Sequence, residues 1–193
     1  NLSSINRLRE EEGFTLVELI VVVMMIGILS SIAIPQFMTA ADKAKQKEAT
    51  GIVSALVKGA TAYQTEYGVL PTSFDEISEY AKFQECFATG VNTRGGAVCR
   101  NSNPATPVIR AVTGGPEDAT NFYATSGNYN ISFQIGGTDE LPLFQVLANP
   151  NGIPYASNGS AVTGCYNAVS AVSQVYEYTA KQADKGPKTY RTC

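Results

Sequence analysis

The chain carries 193 residues and a net charge of -3, so it has no broad basic surface with which to neutralise phosphates, and nucleic-acid binding is not indicated. It contains neither histidine nor tryptophan. The commonest general base and the commonest zinc ligand at neutral pH are therefore missing, no cofactor or metal is expected, and the chain reads as a non-enzyme.

Residues 1–13, NLSSINRLREEEG, are polar, with Arg7 and Arg9 followed by Glu10, Glu11 and Glu12. No Met opens the chain, so further residues are expected upstream of Asn1. Across residues 14–34 the only charge is Glu18, and a helix of that length rises about 31 Å, enough to cross a hydrocarbon core of about 30 Å. This predicts a single membrane-spanning helix. In a secretory signal peptide the apolar region precedes the cut, whereas here it follows the Gly13–Phe14 junction, so cleavage there leaves the span in the mature chain. Glu18 needs a partner, because an ionisable group near the start of an apolar span marks a functional position. The plainer reading is a carboxylate that complements the positive end of the helix dipole, worth about 0.3–1 kcal/mol. Gly27 and Pro35 are both tolerated in membrane helices. Pro35 lacks an amide proton and clashes with the carbonyl one turn back, which predicts a kink at the membrane exit.

Beyond Pro35, Asp42, Lys43, Lys45, Lys47 and Glu48 form a solvated stretch. Val53, Leu56, Ala60, Tyr63 and Tyr67 then recur at helical spacing up to the stop signal of Gly68 and Pro71. A single helix from residue 14 to about residue 67 would be on the order of 80 Å long. Its tyrosines are read as core rather than as a cofactor or electron-transfer stripe. Residues 73–81 read as a short helix, with Ser73 as N-cap and Glu76 completing a capping box. Residues 82–121, rich in Gly, Asn, Thr and Pro, read as a surface connection without regular structure.

Strand signals follow. Residues 122–125 are a short candidate; Tyr129, Ile131, Phe133 and Ile135 alternate with polar residues up to Gly136–Gly137; residues 143–148 form a near-continuous apolar run; residues 162–166 and 173–182 are further candidates. In the last, Val169, Val172 and Tyr176 also fit a helical period, but the β-branched and aromatic content favours a strand, turned at residues 184–187. The alternation predicts an antiparallel sheet with one face on the helix. Cys86, Cys99, Cys165 and Cys193 all lie after the span, which suits disulfides in an oxidising compartment and places residues 1–13 in the cytoplasm. Of the three possible connectivities, 86 with 99 and 165 with 193 is the expected one, each bridge adding about 3 kcal/mol. Asp139 and Glu140 read as a solvated turn rather than a calcium loop. Asn130 and Asn158 each begin an N-glycosylation pattern, which has a high chance rate.

The stretch GFTLVELIVVVMMIGILSSIAIPQF, residues 13–37, resembles the N-terminal segment of type IV prepilins and of the pseudopilins of type II secretion. The resemblance implies an α+β type IV pilin fold, a long N-terminal helix packed against a small antiparallel β-sheet head. It also implies a leader of residues 1–13 removed by a prepilin peptidase between Gly13 and Phe14, and N-methylation of Phe14. The family's assembly glutamate falls on Glu18, its helix-loosening glycine on Gly27 and its kink proline on Pro35. Glu10, Glu11 and Glu12 depart from the short basic leaders usual in the family. Residues 14–35 would then be a transmembrane and filament-core helix, and residues 36–193 an extracytoplasmic head that includes the rest of the helix. A cut after Gly13 creates an ammonium at Phe14, and staggered helices can bring Glu18 of one copy to the Phe14 ammonium of another.

The expected function is a structural subunit of a type IV pilus. It would be held in the inner membrane in contact with lipid, then polymerised with copies of itself and minor pilins by inner-membrane assembly machinery. Alternatives are a type II secretion pseudopilin in a periplasmic pseudopilus, or a minor pilin acting as an adhesin or DNA-uptake module. A membrane-anchored enzyme ranks last, since no catalytic constellation is visible.

Overall fold

The computed structural model describes residues 13–86, 109–112, 121–150, 160–178 and 190–193. The chain divides into two compact units, Asn1–Ala41 and Asp42–Cys193. Helix α1, Leu16–Tyr67, contributes to both and carries Pro35 in its interior.

In the first unit the helix is apolar all round, and its large side chains are exposed from Leu16 to Ile34. It is the one helix among the described residues long and apolar enough to cross a membrane. In the second unit α1 is amphipathic, burying Ala49, Val53, Leu56, Val57 and Ala60 on one face. The helix ends at Tyr67, and Gly68 follows at φ 76°, the left-handed conformation that suits a glycine after a helix.

Helix α2, Phe74–Ser78, begins as its sequence dictates. The Ser73 hydroxyl accepts the Glu76 N–H, and the Glu76 carboxylate accepts the Ser73 N–H. Phe74 then enters the core edge-on to Phe122 and Phe133, at centroid distances of 5.1 and 4.7 Å. Ile77 covers Gly59 of α1, where a Cβ would stand 2.7 Å from Ile77 Cγ2.

The sheet has the order β3-β4-β5-β6-β7, antiparallel throughout: β3 Asn121–Tyr123, β4 Tyr129–Thr138, β5 Leu141–Pro150, β6 Val162–Asn167 and β7 Ser173–Glu177. Opposed residues across the register share a face. One face therefore carries Ile131, Phe133, Phe144, Val146, Ala148, Val162 and Tyr166, which join the α1 residues in a single core. Gly164 lies on this face because a Cβ would meet Val53 and Val57 of α1 at 2.6 and 2.8 Å.

The other face of β5 and β6 is buried as well, through Leu143, Gln145, Leu147, Thr163 and Cys165. Here the chain's last described residues cross the sheet. Gln145 Nε2 donates to Arg191 O at 2.8 Å, the Arg191 guanidinium lies 3.6 Å over the Tyr176 ring, and Cys193 is bonded to Cys165. Burial on both faces explains why β5 reads as a continuous apolar run rather than an alternation.

Four expectations are corrected. The segment after residue 82 is not without structure, since β1, Gln84–Cys86, pairs antiparallel with β2, Ile109–Ala111. Strand β4 does not stop at Gly136–Gly137 but runs to Thr138 and turns through Asp139 and Glu140 into β5. Gly137, at φ 85°, permits that, where any Cβ would meet Leu141 O at 2.1 Å. Tyr63 and Tyr67 are not core: Tyr63 is half-buried and Tyr67 is exposed. Val169 and Val172 belong to neither a helix nor a strand but to the turn between β6 and β7, where Asn167 Oδ1 accepts the N–H groups of Val169 and Ser170. The turn expected at residues 184–187 lies outside the described residues.

Candidate processing and assembly site

Gly13, Phe14 and Thr15 precede the first turn of α1. Phe14 is 89% exposed, and a Cβ at Gly13 would meet nothing within 4 Å. The peptide bond between them is therefore uncrowded by the other described residues.

The helix starts at Thr15. Its hydroxyl accepts the Glu18 N–H at 3.2 Å, and Glu18 Oε2 accepts the Thr15 N–H at 2.9 Å and the Thr15 hydroxyl at 2.7 Å. This is a capping box, which satisfies two of the amide donors that a helix leaves unpaired at its start. The sequence reading sought the partner of Glu18 in another copy or in the helix dipole and missed Thr15. The signal was present, because Thr15-Leu16-Val17-Glu18 is the S/T-x-x-E pattern ahead of an apolar run.

The remaining positions lie along the same helix, away from that start. Gly27 follows Glu18 by nine residues, about 14 Å of helix rise, and Pro35 follows by about 26 Å. Gly27 is a glycine with open space at its Cβ position, so nothing among the described residues requires the missing side chain. An interior helical glycine costs about 1 kcal/mol relative to alanine. The structure thus joins Thr15 and Glu18 directly after Phe14 and leaves Gly27 and Pro35 as separate features of the apolar segment.

In the second unit, Cys165 and Cys193 form a disulfide with a Cα separation of 5.6 Å. Cys86 is disulfide-bonded, and Cys99 lies outside the described residues. Asp139 and Glu140 form the exposed tip of the β4–β5 hairpin, and no group of three or more potential metal ligands occurs among the described residues. Asn130 sits half-buried within β4, and Asn158 lies outside the described residues.

The tyrosines at the end of α1 tie that end to α2. Tyr63 donates to Glu76 at 3.1 Å, Tyr67 to Glu79 at 3.5 Å, and Tyr80 to Glu66. The Tyr80 phenol is pushed up by its bond to Glu66, and Tyr67 by the charges of Glu79 and Glu66, so both hold their protons. These pairs are structural ties between the end of α1 and the α2 region.

Residues 8–34 match the family described as the prokaryotic N-terminal methylation motif. The chain is 35% identical over 74 residues to type II secretion system core protein G of Pseudomonas aeruginosa, which covers 38% of this chain and 52% of that protein. It is 33% identical over 78 residues to competence protein ComGC of Halalkalibacterium halodurans, covering 39% of this chain and 76% of that one. It is also 44% identical over 54 residues to type IV major pilin protein PilA of Myxococcus xanthus, covering 28% and 24%. The chain thus spans about half the length of the secretion relatives it matches. No solved structure matches it. A methylation motif at the start of an apolar helix, an antiparallel sheet packed on the continuation of that helix, and most of the competence relative's length matched lead to one assignment: the chain belongs to the prepilin and pseudopilin family.

Proposed function

We propose that this chain is a structural subunit of a type IV pilus or related filament, without enzymatic activity. The observation that carries this reading is an uncrowded Gly13–Phe14 junction directly ahead of a helix start that holds the only carboxylate of an exposed apolar segment. A prepilin peptidase would remove residues 1–13 and N-methylation would follow at Phe14. Residues 14–35 would sit in the inner membrane and then form the filament core, with residues 36–193 outside. Copies of this chain, minor pilins and inner-membrane assembly machinery are the partners.

Water is the wrong solvent for side chains such as Leu29 at 68% and Ile32 at 66% exposure. Moving that surface from lipid to a bundle of like helices keeps it dry throughout. Glu18 is assigned to assembly, meeting the Phe14 ammonium of a neighbouring copy. Gly27 is assigned to loosening of the helix and Pro35 to the bend at the membrane exit.

The second reading is a pseudopilin in a periplasmic filament, favoured by the several type II secretion core proteins among the relatives. Mass spectrometry of sheared surface material decides between outcomes. A filament chain beginning at N-methylated Phe14 supports the pilus; the same processed chain confined to the periplasmic face supports the pseudopilus. A membrane-resident chain that retains Gly13, with no filament containing it, overturns both.

A further inference from the structure

We infer that the end of the sheet formed by the β4–β5 hairpin and the β6–β7 turn docks on the outward face of α1, residues 43–58, in a second copy of this chain. This rests on the filament reading above and names the surfaces through which its heads would touch. Leu143 pairs with Asn167, and the Ala168 N–H donates to Pro142 O at 3.2 Å, so the two turns lie side by side. Together they expose Leu141, Val169 and Val172, at 51%, 63% and 41%. Ala171 holds φ 55° in the same turn, in the left-handed region that favours glycine, and backbone strain of this kind gathers where a site uses it. Beside these side chains stand the exposed Asp139 and Glu140, whose carboxylates meet no partner among the described residues.

The occupant follows from charge. On the side of α1 opposite its buried face, Lys43, Lys47, Gly51 and Lys58 recur at helical spacing and are all exposed. The carboxylates of that stretch are already engaged, Asp42 with Lys45 at 3.5 Å and Glu48 with Ser126 Oγ at 2.7 Å. Lys47 is paired with Glu177 at 2.7 Å, whereas Lys43 and Lys58 make no ion pair or hydrogen bond with the described residues. A Cβ at Gly51 would meet nothing within 4 Å, so the flat surface between these lysines is open to a neighbour. The two surfaces do not meet within one chain. Gly164 of β6 lies against Val53 and Val57, and the Tyr166 hydroxyl donates to Gln64 Oε1, so β6 runs along α1 in the same direction and its turn stands toward the end of the helix. From Gln64 back to Lys43 the helix rises about 31 Å, and Lys58 faces away from the sheet. Unlike patches that match only across copies make a heterologous contact, the kind that continues into a filament.

The test uses the full chain and its charge variants in cells that carry the assembly machinery. Filaments, sheared from the surface or recovered from the periplasmic face, are treated with a zero-length carbodiimide, which joins a carboxylate to an amine in direct contact. Mass spectrometry of the crosslinked peptides should find Asp139 or Glu140 joined to Lys43 or Lys58. The assembled fraction is measured relative to the cut subunit in the membrane. Asp139→Lys with Glu140→Lys should lower it about ten-fold by setting like charges opposite one another, and Lys43→Glu with Lys58→Glu should do the same. Both pairs of changes in one chain should restore the natural fraction. All these side chains are exposed, so the melting temperature of the head should not move in any variant, which separates a lost contact from a lost fold. Filaments whose crosslinks join neither pair, charge variants that assemble as the natural chain does, or a combined variant no better than either half each overturn the proposal and leave the filament reading standing. A natural chain that is cut and forms no filament overturns that reading, and this contact falls with it.

Discussion

In the first unit α1 leaves Leu29 68% exposed and Ile32 66% exposed, whereas after Asp42 the same helix buries Ala49, Val53, Leu56 and Ala60 completely. Backbone geometry does not distinguish the halves; the distribution of apolar side chains does. Around residues 16–34 they point in every direction, which a chain in water satisfies only with an apolar surrounding. In the second unit they keep to one face and the sheet covers them. The fold of this chain explains its second half, and the first half is explained only by what surrounds it.

The contrast is sharpest in paired truncations. Leu56→Ala should destabilise the head by about 2–5 kcal/mol through the cavity it leaves, seen as a lower melting temperature of the detergent-solubilised chain. Leu29→Ala, which removes the same atoms from the same helix, should leave that melting temperature unchanged. Equal losses from both would mean that the first half also packs within the subunit, and the comparison would break.

Cys193→Ser tests the outer face of the sheet. Loss of the bridge to Cys165 should cost about 3 kcal/mol in urea unfolding, and added reductant should weaken the natural chain more than the variant. Gly164→Ala tests the inner face. A Cβ there meets Val53 and Val57, and overpacking of this kind costs about 1–3 kcal/mol, with no effect on membrane insertion.

The smallest effect is a pH dependence at the edge strand. Hydrogen bonds from Lys47 and then Thr50 hold the Glu177 carboxyl below its ordinary value of 4.5. A depressed folded value means that this tie is fully present above the ordinary carboxylate range and is lost as pH falls through the folded value. Head stability should therefore decline on acidification below that range, and Glu177→Gln should reduce the decline. A variant with the same acid profile as the natural chain would remove Glu177 from the account.

Much of this was legible where local chemistry decides structure. The capping box at Ser73 and Glu76, the end of α1 at Gly68, and strands β4, β5 and β6 follow from side-chain spacing alone. Strands β1 and β2 did not, because each has three residues and exists only through pairing with a partner more than twenty positions away. Gly136 and Gly137 suggested an end to β4 because glycine weakens strands, while the hairpin needs the positive φ that one of them supplies. Tyr63 and Tyr67 follow the helical period of the core, but near the end of α1 they make ties to α2 carboxylates instead. At the candidate site the reading found the carboxylate and not its cap. Thr15 and Glu18 obey the same rule as Ser73 and Glu76, yet the apolar context of Glu18 drew attention to its charge rather than to its hydrogen bonds.

The bond between Cys165 and Cys193 also imposes an order of events. Cys193 lies 28 positions after Cys165 and beyond β7, so the bridge cannot close until the described strands have all been delivered to the same compartment. A chain interrupted before that point leaves Gln145 without the Arg191 carbonyl and Cys165 without its bridge. The bridge thus acts as a late covalent seal on the outer face of the sheet, one that forms only when β6 and residues 190–193 are together.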